Sequence, residues 1–139
     1  PRSNGAGGFT KFLPSEDSLI GLNSKSYLVS QIAVLLGGRV AEQLVFGEEY
    51  VTTGASSDIA RASDLAYNMI SKLGYGSTRI VRGEDDILKE SQQLVDDAES
   101  VAIEILSKNR ILLDTFSENL IAKETIDRET IEKIFSSYM

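Results

Sequence analysis

The amino-acid sequence predicts a mainly α-helical domain with one or two short strands at its N-terminal edge. Apolar residues recur every three or four positions over several long stretches, and Gly, Ser and Asp cluster between them, which is typical of helix ends. The chain has 139 residues, of which 42% are hydrophobic and 25% are charged. This length and balance are sufficient for one domain with a buried core.

The N-terminal part is expected to form a loop that leads into one extended strand. Three glycines among the first eight residues favour the loop. The run at residues 9–13 (FTKFL) is rich in β-forming residues and is followed by Pro14, which would end a strand.

The first long helix is predicted to begin at Ser24 or Ser26, either of which is a suitable N-cap, and to continue to about Phe46. Gly37 and Gly38 lie in its middle, where they cost about 2 kcal/mol relative to two alanines. Such a pair predicts either a close approach by a neighbouring backbone or a break in the helix.

A second helix is predicted over about residues 57–73, after a strand-like stretch at residues 50–53. Ser56 and Ser57 are expected to cap this helix, and Gly74 is expected to end it.

The C-terminal part is expected to add three more helices. The apolar pattern predicts one helix over about residues 85–107 and another that begins near Asn109. Asp127 is expected to cap a short last helix.

Composition excludes several classes of function. The net charge is -7 and the 14 Lys and Arg residues are scattered, so no nucleic-acid partner is expected. The absence of cysteine excludes disulfides and thiolate metal sites. The absence of histidine excludes a Ser-His-Asp triad and a self-contained histidine zinc site. No stretch is expected to supply the roughly 20 apolar residues of a membrane span.

Two blocks of sequence carry a specific family resemblance. Residues 37–47 read GGRVAEQLVFG, and residues 52–58 read TTGASSD. In this order and at this spacing, the blocks resemble the M41 peptidase domain of FtsH-type proteases. The similarity extends to GGFT at residues 7–10 and KETID at residues 123–127, so it covers nearly the whole chain. The SKSYL and VTT variants look more like chloroplast and cyanobacterial members.

The resemblance implies that residues 1–139 are a partial M41 peptidase domain that lacks the upstream HExxH helix. In this division, residues 1–23 form the loop and edge strand, residues 24–74 form two motif-bearing helices, and residues 85–139 form the C-terminal helices.

By the same resemblance, the full-length protein is expected to be an ATP-dependent zinc metalloprotease that degrades unfolded or damaged membrane and soluble proteins. It would work as a homo- or hetero-hexamer in a chloroplast thylakoid or bacterial inner membrane. Zinc would be the peptidase cofactor, and ATP with magnesium would bind a separate AAA+ module. Membrane attachment would come only through N-terminal segments that are not in this sequence, and the chain alone is expected to be soluble and inactive.

The resemblance implies that Asp58 is the third zinc ligand, while the catalytic Glu and two His ligands lie upstream. A carboxylate near a helix N-terminus can also act only by stabilising the helix dipole. The resemblance further implies that Glu42 accepts a hydrogen bond from a ligand histidine, with a surface acid as the alternative.

The predicted strand is also a candidate substrate edge, because zinc proteases commonly hold an extended peptide by main-chain pairing. Ordinary sheet structure is the alternative interpretation. The residues assigned to this edge are Gly8, Phe9, Thr10, Lys11 and Phe12.

Some positions depart from the family pattern. Ser57 replaces a usual Asn, Gln43 replaces a common Glu, and the segment after Gly74 is shorter than usual. None of these departures removes a presumed zinc ligand. Two other hypotheses also remain open. One is a pseudoprotease that keeps the fold for assembly or substrate handling, and the other is a helical adaptor, which would have a closed core.

Overall fold

Helices make up most of the described chain. The computed structural model describes residues 10–12, 23–78 and 83–138. Within these ranges the α-helices are α1 (Lys25–Phe46), α2 (Ser56–Ser71), α3 (Glu84–Lys108), α4 (Arg110–Lys123) and α5 (Arg128–Tyr138). The predicted mainly α-helical class is confirmed, and the helix bounds lie within about two residues of the predicted ones.

The described ranges contain no β-strand. The predicted strand-like stretch at residues 50–53 is wrong, because two 3-10 turns, Glu48–Tyr50 and Thr53–Ala55, occupy this region. The Oγ1 of Thr52 accepts a hydrogen bond from the Gly54 N–H at 3.1 Å, which favours the turn. Residues 10–12 have no regular structure, and the rest of the predicted edge strand lies outside the described residues.

Helix α1 runs without interruption through its glycine pair. Its N-cap is Ser24, whose Oγ accepts a hydrogen bond from the Tyr27 N–H at 3.1 Å, and its C-cap is Gly47, which has a φ of 88°. The predicted alternative of a helix break is therefore wrong. A Cβ added at Gly38 would lie 3.9 Å from the Cβ of Ala55, and one added at Gly37 would meet no atom within 4 Å. No tight backbone approach explains the pair within the described part of the chain.

The core lies where α1, α2 and α3 meet. The side chains of Ile32 in α1 and Met69 in α2 are fully buried. Alanines on the contact surfaces of α2 and α3 leave room for the helices to approach closely. The core residues are Leu28, Ile32, Ala33, Leu35, Leu36, Ala62, Ala66, Met69 and Ala98.

Helix α1 is long and apolar enough to cross a membrane by length and composition, in contrast to the sequence expectation. It packs in this structure against both α2 and α3, and six of its residues are buried. A central core helix shows the same composition, so we interpret α1 as the core helix of the bundle.

Helices α4 and α5 form a hairpin at the C-terminal end. Phe116 and Phe135 join them with ring centroids 5.5 Å apart. The Oδ1 of Asp127 accepts a hydrogen bond from the Thr130 N–H at 2.8 Å, so this carboxylate caps α5 as the sequence predicts. The Thr130 backbone hydrogen bond lowers the pKa of Asp127. Helix α4 buries no residue completely, so the hairpin depends on few contacts with the bundle.

Replacement of Gly37 by Ala is expected to stabilise the chain by about 0.5–1 kcal/mol. The added methyl group meets no atom, and Ala loses less conformational entropy than Gly when a helix forms. Urea unfolding followed by circular dichroism measures the change. Gly47→Ala is the control and should destabilise by at least about 1 kcal/mol, because its φ of 88° is strained for an L-residue. A loss of stability in Gly37→Ala would show that another backbone approaches this position.

Candidate functional site

Asp58 is buried at the beginning of α2. It is the third residue of the helix, and only 7% of its surface is exposed. The expectation that Ser56 and Ser57 cap this helix is wrong, because the N-cap is Ala55, whose side chain makes no capping hydrogen bond. The preceding 3-10 turn runs directly into α2, and the Ser56 N–H donates to the Thr53 carbonyl instead.

Two residues bind the Asp58 carboxylate. The Thr10 N–H donates to Oδ1 at 3.1 Å, and the Thr10 hydroxyl donates to Oδ2 at 2.6 Å. The Arg61 guanidinium donates to Oδ1 at 3.3 Å. Charge-assisted bonds of this kind offset the cost of burying a carboxylate. The orientation of the Asp58 side chain is therefore fixed by the N-terminal segment and by α2 itself.

Arg61 also binds the N-terminal segment directly. Its guanidinium donates a hydrogen bond to the Thr10 carbonyl and lies over the Phe12 ring, 5.9 Å from the ring centroid. The sequence interpretation did not identify Arg61. Its spacing of three residues from Asp58 on a helix is a local signal that could have found the ion pair.

Glu42 holds the connection between α1 and α2. Its Oε2 accepts the Thr52 N–H at 2.8 Å, and its Oε1 accepts the Thr52 hydroxyl at 2.7 Å. The side chain is half-buried near the end of α1. These bonds connect the two sequence blocks that carry the family resemblance, and they fix the turn that leads to Asp58. The role of Glu42 toward a ligand histidine stays a prediction.

Three of the predicted substrate-edge residues, Thr10, Lys11 and Phe12, lie in the described chain. Lys11 is exposed, whereas Phe12 is half-buried and packs against the core. The N–H and the carbonyl of Thr10 both bind α2 side chains, so they are not free for pairing with a peptide. Gly8 and Phe9 lie outside the described residues, and the substrate-edge role stays a prediction.

Around Asp58, the side chains of the described residues can supply one ligand of a metal site and no more. In residues 10–12, 23–78 and 83–138, no group of three His, Cys, Asp or Glu side chains could hold a metal ion. Asp58 supplies a single oriented carboxylate, which is a suitable zinc ligand. A three-ligand zinc site at Asp58 therefore needs two donors from outside this set.

Comparison with known proteins agrees with the two sequence blocks. The family model described as peptidase family M41 matches residues 1–86. The chain is 38% identical to the ATP-dependent zinc metalloprotease FtsH 3 of Synechocystis sp., over 95% of the chain and 26% of that protein. It is 37% identical to the chloroplastic ATP-dependent zinc metalloprotease FTSH 1 of Arabidopsis thaliana, over 94% of the chain and 22% of that protein.

The chain spans about a quarter of the length of the relatives that it matches. The alignment to the Synechocystis protein extends over 157 positions, more than the 139 residues of the chain, so that relative carries residues that this chain lacks. The family match covers more than half of the chain and includes both sequence blocks together with Glu42 and Asp58. The chain therefore belongs to peptidase family M41, the family of the FtsH-type zinc metalloproteases.

Proposed function

We propose that this chain is part of the proteolytic domain of a membrane-anchored, ATP-dependent zinc metalloprotease, and that Asp58 is one of its zinc ligands. The observation that carries the proposal is the buried Asp58 carboxylate, which Thr10 and Arg61 hold in one orientation at the start of α2. Metal-ligating carboxylates are commonly held in this way by hydrogen bonds from neighbouring groups.

The catalytic roles of the zinc ion, Asp58 and the upstream residues follow from this assignment. Zinc, when bound, would lower the pKa of a water molecule and so supply the nucleophile for peptide hydrolysis. Asp58 would contribute a negative charge and a fixed direction of coordination. Because the chain has no histidine, two His ligands and a catalytic Glu would come from an HExxH segment outside residues 1–139.

The wider setting of the proposed enzyme rests on the relatives. Their names describe ATP-dependent zinc metalloproteases, which supports zinc and ATP as cofactors of the full-length protein. Magnesium is proposed to bind together with the ATP. One relative is described as chloroplastic and one comes from Synechocystis sp., which supports a chloroplast or bacterial location. Within that location, the proposed site is a thylakoid or bacterial inner membrane. The full-length protein is proposed to form a homo- or hetero-hexamer. This hexamer would degrade unfolded or damaged membrane and soluble proteins.

Two other functions are less well supported. A pseudoprotease would have no need for a metal ligand at Asp58. The presence or absence of HExxH upstream of Pro1 distinguishes a protease from a pseudoprotease. A free-standing adaptor would have a closed core. An apolar groove of about 270 Å³ instead lies between α1 and α3, and Val34 and Ile105 on its walls are both 54% exposed.

In the full-length protein, Asp58→Asn is expected to lower zinc affinity at least about 10-fold and to abolish proteolysis, while ATP hydrolysis continues. Asn keeps the shape of Asp but removes the negative charge that zinc needs. Zinc content, ATPase rate and casein cleavage on one preparation measure the three effects.

Ser57→Asn restores the usual family residue next to Asp58 and serves as the matched control, with unchanged zinc content and cleavage. Normal zinc content and cleavage in Asp58→Asn would show that Asp58 is only a structural carboxylate.

The 139-residue chain by itself is expected to bind zinc only weakly and to cleave no casein, because one carboxylate cannot replace a site of three ligands. Isothermal titration with zinc at micromolar concentration measures the binding. Addition of the upstream HExxH segment should restore both properties. Stoichiometric micromolar binding by this chain alone would contradict the assignment.

Glu42→Ala is expected to destabilise the chain by about 1 kcal/mol, because two hydrogen bonds from Thr52 to the carboxylate are lost. The adjacent Gln43→Ala is the control for helix propensity, since the same residue type is introduced on the same helix. Urea unfolding measures both variants. Thr52→Val removes the hydroxyl donor, so its effect should overlap with that of Glu42→Ala in the double mutant. Independent, additive losses would show that Glu42 acts through other contacts.

A further inference from the structure

We propose that Arg61 is a positioning residue for Asp58. The Arg61 guanidinium binds Oδ1 of the Asp58 carboxylate, and this leaves Oδ2 as the atom that coordinates zinc. This inference rests on the proposed function, in which Asp58 is a zinc ligand. It adds a residue and a coordination mode that the sequence blocks do not indicate.

The hydrogen bonds of the two carboxylate oxygens are unequal. Oδ1 accepts from the Thr10 N–H at 3.1 Å and from Arg61 at 3.3 Å, so both of its lone pairs are engaged. Oδ2 accepts only the Thr10 hydroxyl, at 2.6 Å, among the contacts of the described residues. One lone pair of Oδ2 therefore remains, and the geometry favours coordination through that single oxygen.

The guanidinium shape suits Arg61 to this role. Its Nη1 donates to both Asp58 Oδ1 and the Thr10 carbonyl, and its Cζ lies over the Phe12 ring, 5.9 Å from the centroid. The side chain is 40% exposed, so it reaches the buried carboxylate from the surface of α2. A lysine has the charge but not the planar, pre-organised guanidinium that binds two oxygens at once.

Thr10, Asp58 and Arg61 each contact the other two residues. Thr10 donates twice to Asp58 and accepts once from Arg61, while Arg61 bonds to Asp58 one helical turn away. These contacts hold the carboxylate in one orientation. A ligand fixed in advance loses little conformational entropy when the metal binds.

The positive charge of Arg61 opposes the benefit of orienting the carboxylate, because this charge repels a zinc ion. The two effects predict opposite outcomes for removal of the side chain. Loss of orientation weakens zinc binding, whereas loss of repulsion strengthens it. The Arg61 contact is made to Oδ1 and not to the oxygen that retains a lone pair, so we expect the loss of orientation to dominate.

The test measures zinc affinity of the metal-free, full-length protein by competition with a chromogenic chelator. Arg61→Met should bind zinc about 10- to 100-fold more weakly, which is the usual effect of losing a group that orients a ligand. Arg61→Lys should recover only part of this loss. Arg110→Met is the matched control, because Arg110 makes a similar ion pair with Asp114 at 3.0 Å and is 44% exposed. Its zinc affinity should equal that of the unmodified protein.

A double mutant separates positioning from general damage to the fold. Because Arg61 acts through Asp58, adding Arg61→Met to Asp58→Asn should weaken zinc binding no further. Helical content by circular dichroism identifies any variant that fails to fold, in which case a folded Arg61→Lys variant supplies the measurement. This variant keeps the positive charge but loses the planar guanidinium, so it should still bind zinc at least about threefold more weakly than the unmodified protein.

The outcomes distinguish the two proposals. Unchanged or tighter zinc binding in folded Arg61→Met, or full affinity in Arg61→Lys, overturns the positioning role. An additive loss in the double mutant overturns it too. If Asp58→Asn itself keeps normal zinc affinity, the proposed function fails and the positioning role fails with it. If Asp58→Asn loses zinc and Arg61→Met does not, the positioning role fails and the proposed function stands.

Discussion

The hydrogen bonds to the Asp58 carboxylate are the constraint on which the candidate site depends. They connect Thr10 to α2 across 48 residues of sequence, and Arg61 makes a second connection to the same segment. A buried carboxylate would be costly without such partners, because desolvation disfavours its charged form. The burial of Asp58 and the placement of residues 10–12 are therefore consequences of the same contacts.

The helical core places this carboxylate by a second set of contacts. Helix α2 packs on α1 and α3 through small and apolar side chains, which fixes the direction of its axis. Glu42 then binds Thr52 and holds the turn before α2, so the first residues of that helix have one position. The glutamate of the first sequence block thus supports the aspartate of the second, independently of any contact that Glu42 makes to a ligand histidine.

Local signals were sufficient for the helices but not for the contacts around the site. The apolar spacing and the Ser24 and Asp127 caps predicted elements whose bounds agree with the structure, because both signals act within one or two helical turns. The strand at residues 50–53 was wrong because the hydrogen bonds that Thr52 donates to Glu42 and accepts from Gly54 outweigh the β propensity of threonine and valine. The Thr10 contacts could not be predicted, since no local pattern specifies a partner 48 residues away.

The contacts of Asp58 also bear on the proposed role in metal binding. Three donors bind the Asp58 carboxylate, so hydrogen bonds from the protein offset the cost of its burial. Structural zinc sites behave differently, because there the metal contributes to the free energy of folding. A catalytic site gains from a ligand that is oriented before the metal arrives, since the coordination direction is then set by the protein. Under the proposed function, the hydrogen bonds from Thr10 and Arg61 would give the Asp58 carboxylate its coordination direction before the metal binds.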